Sequence, residues 1–197
     1  LQQYQRALDL QPNSGKAWFH YGHDLEFLGR AKEASQAYQK AYQFSPEEPL
    51  VLLMKGREAL ISLNYDTAYG FFEKASQKSD TASLRAEAFA TMSLIKRSLG
   101  QFNEAMELSQ KAVAADGKFA YALANHGMNL MIQGNAEEAI TVLEQATQAN
   151  PRMSLSPLWL GVALRNLEAY GSAIASMKLA LERTDNDNTI LGAGAEK

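Results

Sequence analysis

The chain has 197 residues, a formal net charge of −3, 46% hydrophobic and 21% charged residues, and no cysteine. This apolar content can bury a core and excludes a disordered or collagen-like chain; the acidic pI of about 5.7, without any long basic run, excludes the electrostatic footprint of a nucleic-acid binder. The absence of cysteine excludes a disulfide framework, a thiolate zinc site, an iron–sulfur cluster and a cysteine nucleophile, and leaves a cytoplasmic or a periplasmic location equally open.

The chain opens at Leu1 without an initiator Met, and its first residues are neither a charged leader nor an apolar signal core, so it reads as starting inside a longer protein. Tyr4, Ala7 and Pro12 read as the closing helix of a unit whose first helix lies upstream. The longest apolar run, Leu50 to Met54, falls far short of the roughly 18 residues of a membrane span.

Beyond that half unit, alanine is abundant and Gly and Pro are spaced, which favours helix throughout. Trp18, Gly22, Ala34, Tyr38, Ala41 and Pro46 return after 34 residues as Leu52, Gly56, Ala68, Phe72, Ala75 and Asp80. The frame continues as Phe89, Ser93, Ala105, Ser109, Ala112 and Gly117, then as Leu123, Gly127, Ala139, Leu143, Ala146 and Pro151, and last as Pro157, Gly161, Ala173, Met177, Ala180 and Asp185. Small residues such as Gly22 and Ala34 let two helices of a pair approach, and large ones such as Trp18, Tyr38, Leu143 and Met177 fill the space beside them. Ser93 and Ser109 replace the glycine and the large residue in the third copy, which is expected to pack least tightly, and Ser83 to Arg85 are three extra residues expected to lengthen its first helix by nearly a turn.

This pattern resembles the tetratricopeptide repeat family, on Trp18, Tyr21, Gly22, Leu25, Ala34, Tyr38, Ala41 and Pro46 above all. The resemblance implies an all-α solenoid, a right-handed superhelix of antiparallel helix pairs, as a single domain over 1–187. It comprises a half repeat 1–14, repeats 15–48, 49–82, 86–119, 120–153 and 154–187, and the insertion 83–85; residues 188–197 read as a flexible Gly/Ala-rich tail without a capping helix. The apolar face around Ile174 and Leu181 is then expected to be covered by something outside the chain or by a second copy.

In such a stack the first helices of the pairs line a groove. The partner-binding candidates are Phe19, His23, Arg57, Arg97, Tyr121, Asn125, Met128, Met131, Trp159 and Arg165, a mixture of rings, thioethers and guanidinium groups suited to a peptide with apolar anchors and an acidic residue. Leu53, Met54, Phe27, Ile61 and Leu94 share these positions, with burial against a neighbouring repeat an even alternative for the last three; Arg57, Asn125 and Arg165 are the firmest groove assignments because charged and amide groups rarely hide. The family's Lys/Asn clamp for C-terminal carboxylates is absent, since its positions hold Phe19, His23, Met54, Glu87 and Thr91. The asparagine ladder of its glycosyltransferase subgroup survives only at Asn125.

No phosphate loop, nucleophile elbow or His-Glu-x-x-His motif occurs, so no catalysis and no cofactor are expected. His20 and His23 share a helical face but lack a third ligand, and His126 reads as a hydrogen-bonded interior histidine. The expected role is a protein-interaction scaffold with a protein or peptide partner, no nucleic acid and no membrane span. The alternatives are a recruiting segment of a larger enzyme or envelope export protein, and a scaffold that self-associates through uncapped ends.

Overall fold

The computed structural model describes residues 1–184, and among these every regular element is an α-helix. The closing residues of the last copy, 185–187, and the tail 188–197 with Gly192 to Gly194 lie outside the described residues. The chain divides into two compact units. Unit 1, Leu1–Ala88, contains α1 (Gln2–Leu10), α2 (Gly15–Phe27), α3 (Ala31–Phe44), α4 (Pro49–Ile61), α5 (Tyr65–Lys78) and the first turns of α6 (Ala82–Ser98). Unit 2, from Phe89 onward, contains the rest of α6, then α7 (Phe102–Ala115), α8 (Ala120–Ile132), α9 (Ala136–Ala149), α10 (Leu155–Asn166) and α11 (Tyr170–Thr184).

Local chemistry starts and stops these helices. Ser14 caps α2 by accepting from the Ala17 N–H at 3.2 Å, Asn64 caps α5 by accepting from the Thr67 N–H at 3.3 Å, and Pro49 begins α4, where its missing N–H costs nothing. Asn150 follows α9, and its side chain accepts from the Arg152 N–H at 3.0 Å, so it shapes the turn between two helices. α6 has 17 residues where α2, α4 and α8 have 13, because Ala82 to Arg85 supply an additional turn.

Three-residue connections join the two helices of each pair and hold them antiparallel. The middle residue of each connection has positive φ: Gly29 at 74°, Gly100 at 76° and Gly134 at 86°, but also Leu63 at 57° and Glu168 at 60°. Leu63 is exposed, so its side chain does little to offset the steric cost of this backbone region. Leu63→Gly is expected to stabilise unit 1 by about 1 kcal/mol, read as an increase in its urea midpoint; an unchanged or lower midpoint would show the conformation to be unstrained.

Within the pairs that keep the glycine, this small residue of the first helix receives the large residue of the second. A Cβ on Gly56 would lie 2.9 Å from the Phe72 ring, and one on Gly127 would lie 2.6 Å from Leu143 Cγ. Phe72 and Leu143 are themselves fully buried. In unit 1, Trp18, Phe19 and Tyr38 pack on the buried cluster of Ala41, Val51 and Met54, so these rings join one pair to the next. In unit 2, Met106, Leu130, Leu143 and Leu160 form the equivalent core.

Candidate functional site

In unit 1 the first-helix face is carried by α2 and α4. Leu53 and Met54, expected there, are buried at 2% and 8%, because the position faces the neighbouring helices and not the groove. Phe19 is half-buried on the Ala41–Val51–Met54 cluster, 5.8 Å from the Tyr38 ring. His20 stacks on Tyr4 at 5.3 Å, and its proton affinity is lowered by burial and then by the like charges of Lys16 and His23. His23 is exposed, and among the described residues no group of three His, Cys, Asp or Glu could hold a metal ion. Arg57 is exposed but tied in an ion pair to the half-buried Glu87 of α6. Phe27 and Ile61 are exposed at 88% and 73%, and so do not bury against a neighbour.

The extra turn of α6 also shapes this unit. Leu84 lines a hollow of about 590 Å³ together with Lys16 and His20 of α2, the Glu48–Leu50 start of α4, and Lys78, Asp80 and Thr81 after α5. Lys78 is engaged with Glu47 at 2.8 Å, so the hollow has a polar rim of both signs over Leu50 and Leu84.

Unit 2 places a polar network where the frame departs from its small–large pairing. Ser93 and Ser109 are both fully buried. Ser93 Oγ donates to Ala105 O at 2.7 Å and accepts from Asn129 Nδ2 at 2.8 Å, and the same Nδ2 group donates to Ala105 O at 3.0 Å. These two donor contacts fix the Asn129 amide with its oxygen toward Arg97, whose Nη1 donates to it at 2.9 Å. Asn125 is held in the same sense: Nδ2 donates to Tyr121 O at 3.0 Å, and Oδ1 accepts from Arg97 Nη2 at 3.1 Å. The hydroxyls that replace the glycine and the large residue in the third copy are thus both hydrogen-bonded, Ser93 within this network and Ser109 to Met106 O.

Two expectations change here. Asn125, assigned to the exposed groove because amides rarely hide, is buried at 1%, and the Tyr121 carbonyl and the Arg97 guanidinium satisfy it there. Met131 and Trp159 are half-buried against the core cluster of Met106, Leu130, Leu143 and Leu160, and Tyr121 against that of Ala120, Leu123 and Met153, so only part of each ring or thioether faces outward. Met128 is half-buried with its sulfur 3.9 Å from Arg97, Leu94 is half-buried, and Arg165 is exposed in the last turn of α10. Asn129, Ser93 and Ser109 are missing from the sequence candidates. The signal that could have found them is the joint replacement of a Gly and a large residue by two serines, which demands polar partners nearby.

His126 Nδ1 lies 3.0 Å from Ser109 Oγ, whose hydroxyl donates to Met106 O at 2.9 Å; with that proton committed, the His126 N–H donates to Oγ. Ser109 is fully buried, so this contact belongs to the interior of unit 2. Burial lowers the His126 proton affinity, against a smaller opposing pull from Glu138. Below the ordinary histidine range the unfolded chain binds a proton that the folded chain refuses, so this contribution is complete above about pH 6.5 and is lost as pH falls toward the folded value. The urea midpoint of unit 2 is expected to drop between pH 7.5 and 5.5, and to drop less in His126→Gln; equal slopes for the two proteins would remove this histidine as the cause.

A tetratricopeptide repeat family model matches residues 1–49 and 124–188, more than half of the chain, and a second tetratricopeptide repeat model matches 86–119. The chain belongs to the tetratricopeptide repeat family. Solved structures with the same fold include YrrB, described as a tetratricopeptide repeat protein with an unusual peptide-binding site, at 18% identity over 93% of each chain with a TM-score of 0.55. MamA shares 22% identity over 84% of this chain and 95% of its own, with a TM-score of 0.57. Pseudomonas aeruginosa pilF shares 20% over 92% and 81%, with a TM-score of 0.68. The chain is thus a tetratricopeptide repeat α-solenoid, a fold generally used for protein–protein contact. No curated protein matches it significantly in sequence. Among the described residues no helix of this tetratricopeptide repeat chain is long and apolar enough to cross a membrane.

Proposed function

We propose that the chain is a scaffold that binds a segment of a partner protein on the first-helix faces of its pairs and carries out no chemistry of its own. The observation that supports this most is in unit 2, where the half-buried guanidinium of Arg97, held by two oriented amides, stands beside the half-buried thioether of Met128. Rings and thioethers that are half-committed to the core offer rigid, partly desolvated contact area, which is where binding energy concentrates.

Peptides selected from a randomised 12-residue phage library against the immobilised chain test this. Arg57→Glu, His23→Glu and Arg165→Glu alter exposed first-helix positions, while Lys74→Glu, Glu144→Lys and Lys178→Glu alter exposed second-helix positions as controls. The first set is expected to weaken the selected peptides by about tenfold or more and the controls by less than about threefold. Failure to select any peptide, or equal losses in both sets, would overturn the reading. Asn125 is left out because it is buried. A second reading, self-association through α11, is supported by Ile174 and Leu181, exposed at 54% and 71%. Sedimentation at rising concentration checks it, and a monomer throughout would remove it.

A further inference from the structure

Arg97 is the most elaborately held charge in unit 2. The neighbours that position it, Asn125 and Asn129, are neutral acceptors, and each is itself locked by donating its amide N–H groups elsewhere: Asn125 to Tyr121 O, Asn129 to Ser93 Oγ and Ala105 O. Among the described residues no carboxylate is paired with the Arg97 guanidinium. The arrangement therefore orients a cation without neutralising it. A solvated salt bridge would have done less and required fewer residues; this one uses two buried amides and a buried serine.

A guanidinium has five N–H donors in a planar fork. Asn129 takes an Nη1–H and Asn125 an Nη2–H, with Met128 sulfur a weak third contact to Nη2 at 3.9 Å, which leaves the Nε–H and the other Nη1–H to donate to an arriving acceptor oxygen. The surroundings are partly desolvated, enough that burial lowers the Arg97 proton affinity, and an anion arriving there meets a charge weakly screened by water. One fixed positive charge matches a monoanion. Along α8 the site is flanked by Tyr121 on one side and by Met128 and Met131 on the other, all half-buried, so contact area extends past Arg97 in both directions. An anion in the middle of such a surface comes from a side chain within a segment and not from the segment's end.

We propose that Arg97, held ready by Asn125 and Asn129, is the anchor for an acidic side chain in the middle of the bound partner segment; this rests on the peptide-binding reading above. Tyr121 and Met128 then contact the residues on either side of that Asp or Glu.

The test uses the full chain and peptides selected from the randomised 12-residue phage library. Each selected peptide is resynthesised with its acidic residues exchanged singly, Glu→Gln or Asp→Asn, and with an amidated C-terminus. One internal exchange is expected to weaken binding to the wild type by about 10- to 100-fold, and amidation to leave it unchanged. In Arg97→Gln, which keeps an amide donor for the Asn oxygens, the parent peptide is expected to bind as weakly as the exchanged one, with no further loss on exchange. Peptides that bind without needing an acidic residue, an exchange that costs the same in wild type and Arg97→Gln, or binding lost only on amidation would overturn the proposal while leaving peptide binding intact. A library that yields no peptide would overturn both. Should Arg97→Gln fail to fold by circular dichroism, the Arg97 Nε–H resonance of the wild type decides: it is expected to shift with the parent peptide and not with the exchanged one, and an unmoved resonance overturns the assignment.

Discussion

Phe72→Ala is expected to lower the stability of unit 1 by about 3–5 kcal/mol, the usual cost of deleting a fully buried aromatic ring from a core. Gly56→Ala is expected to cost about 1–2 kcal/mol, since the added Cβ lies 2.9 Å from the same ring and a fully buried ring has little room to yield, although alanine is the better helix former. The two effects are not additive. With the ring gone the methyl has space and fills part of the cavity, so the double variant is expected to be more stable than the sum of the single losses by 1 kcal/mol or more. Trp18 lies in unit 1 and Trp159 in unit 2, and they are the chain's two tryptophans. Urea unfolding followed by Trp18 fluorescence in a Trp159→Phe background therefore reports on unit 1. Additivity within error would mean that the close approach of Gly56 to Phe72 does not control the helix crossing.

Asn129→Leu should destabilise unit 2 by about 2–4 kcal/mol, although leucine has a similar volume and is far more apolar. The asparagine joins three groups: it accepts from Arg97 and donates to Ser93 Oγ and to Ala105 O. Leucine would leave the guanidinium with Asn125 as its one remaining amide acceptor and place an apolar branch against a charge, a desolvation without compensation. Trp159 fluorescence in a Trp18→Phe background measures the loss. A variant as stable as its parent would show that the network is a passenger of the fold. The companion change Asn129→Asp separates charge from geometry. It offers Arg97 a carboxylate but withdraws both donors and sets an anion against Ala105 O, so it too is expected to destabilise.

The repeat frame was legible because its chemistry is local and periodic. Gly22 with Tyr38, Gly56 with Phe72 and Gly127 with Leu143 meet as small against large, so the spacing that reveals them is the spacing that packs them. The helix starts at Ser14, Pro49 and Asn64 follow ordinary cap and first-turn chemistry, which the 34-residue frame does not mark. The candidate site was less legible, since position within a repeat gives the direction of a side chain only to within the width of a helix face. Leu53 and Met54 sit at the edge of that face, and the helix crossing turned them inward. Arg57 pairs with Glu87, 30 residues on, and Asn125 is buried beneath Arg97, 28 residues earlier; neither partner is implied by the repeat pattern. A polar residue's exposure depends on what faces it, and in a repeat chain that is set by the neighbouring copy.

The network of Ser93, Arg97, Asn125 and Asn129 has a bearing on assembly as well as on stability. Helix pairs of nearly equal shape can in principle stack in the wrong order, or exchange with pairs from another chain, because apolar faces discriminate poorly among themselves. The layer between α6, α7 and α8 does discriminate. A pair that slid past its proper neighbour would bury Ser93 and Asn129 without each other and strand a guanidinium against hydrocarbon. This polar layer therefore works as a key within unit 2, recording that α6, α7 and α8 belong beside one another.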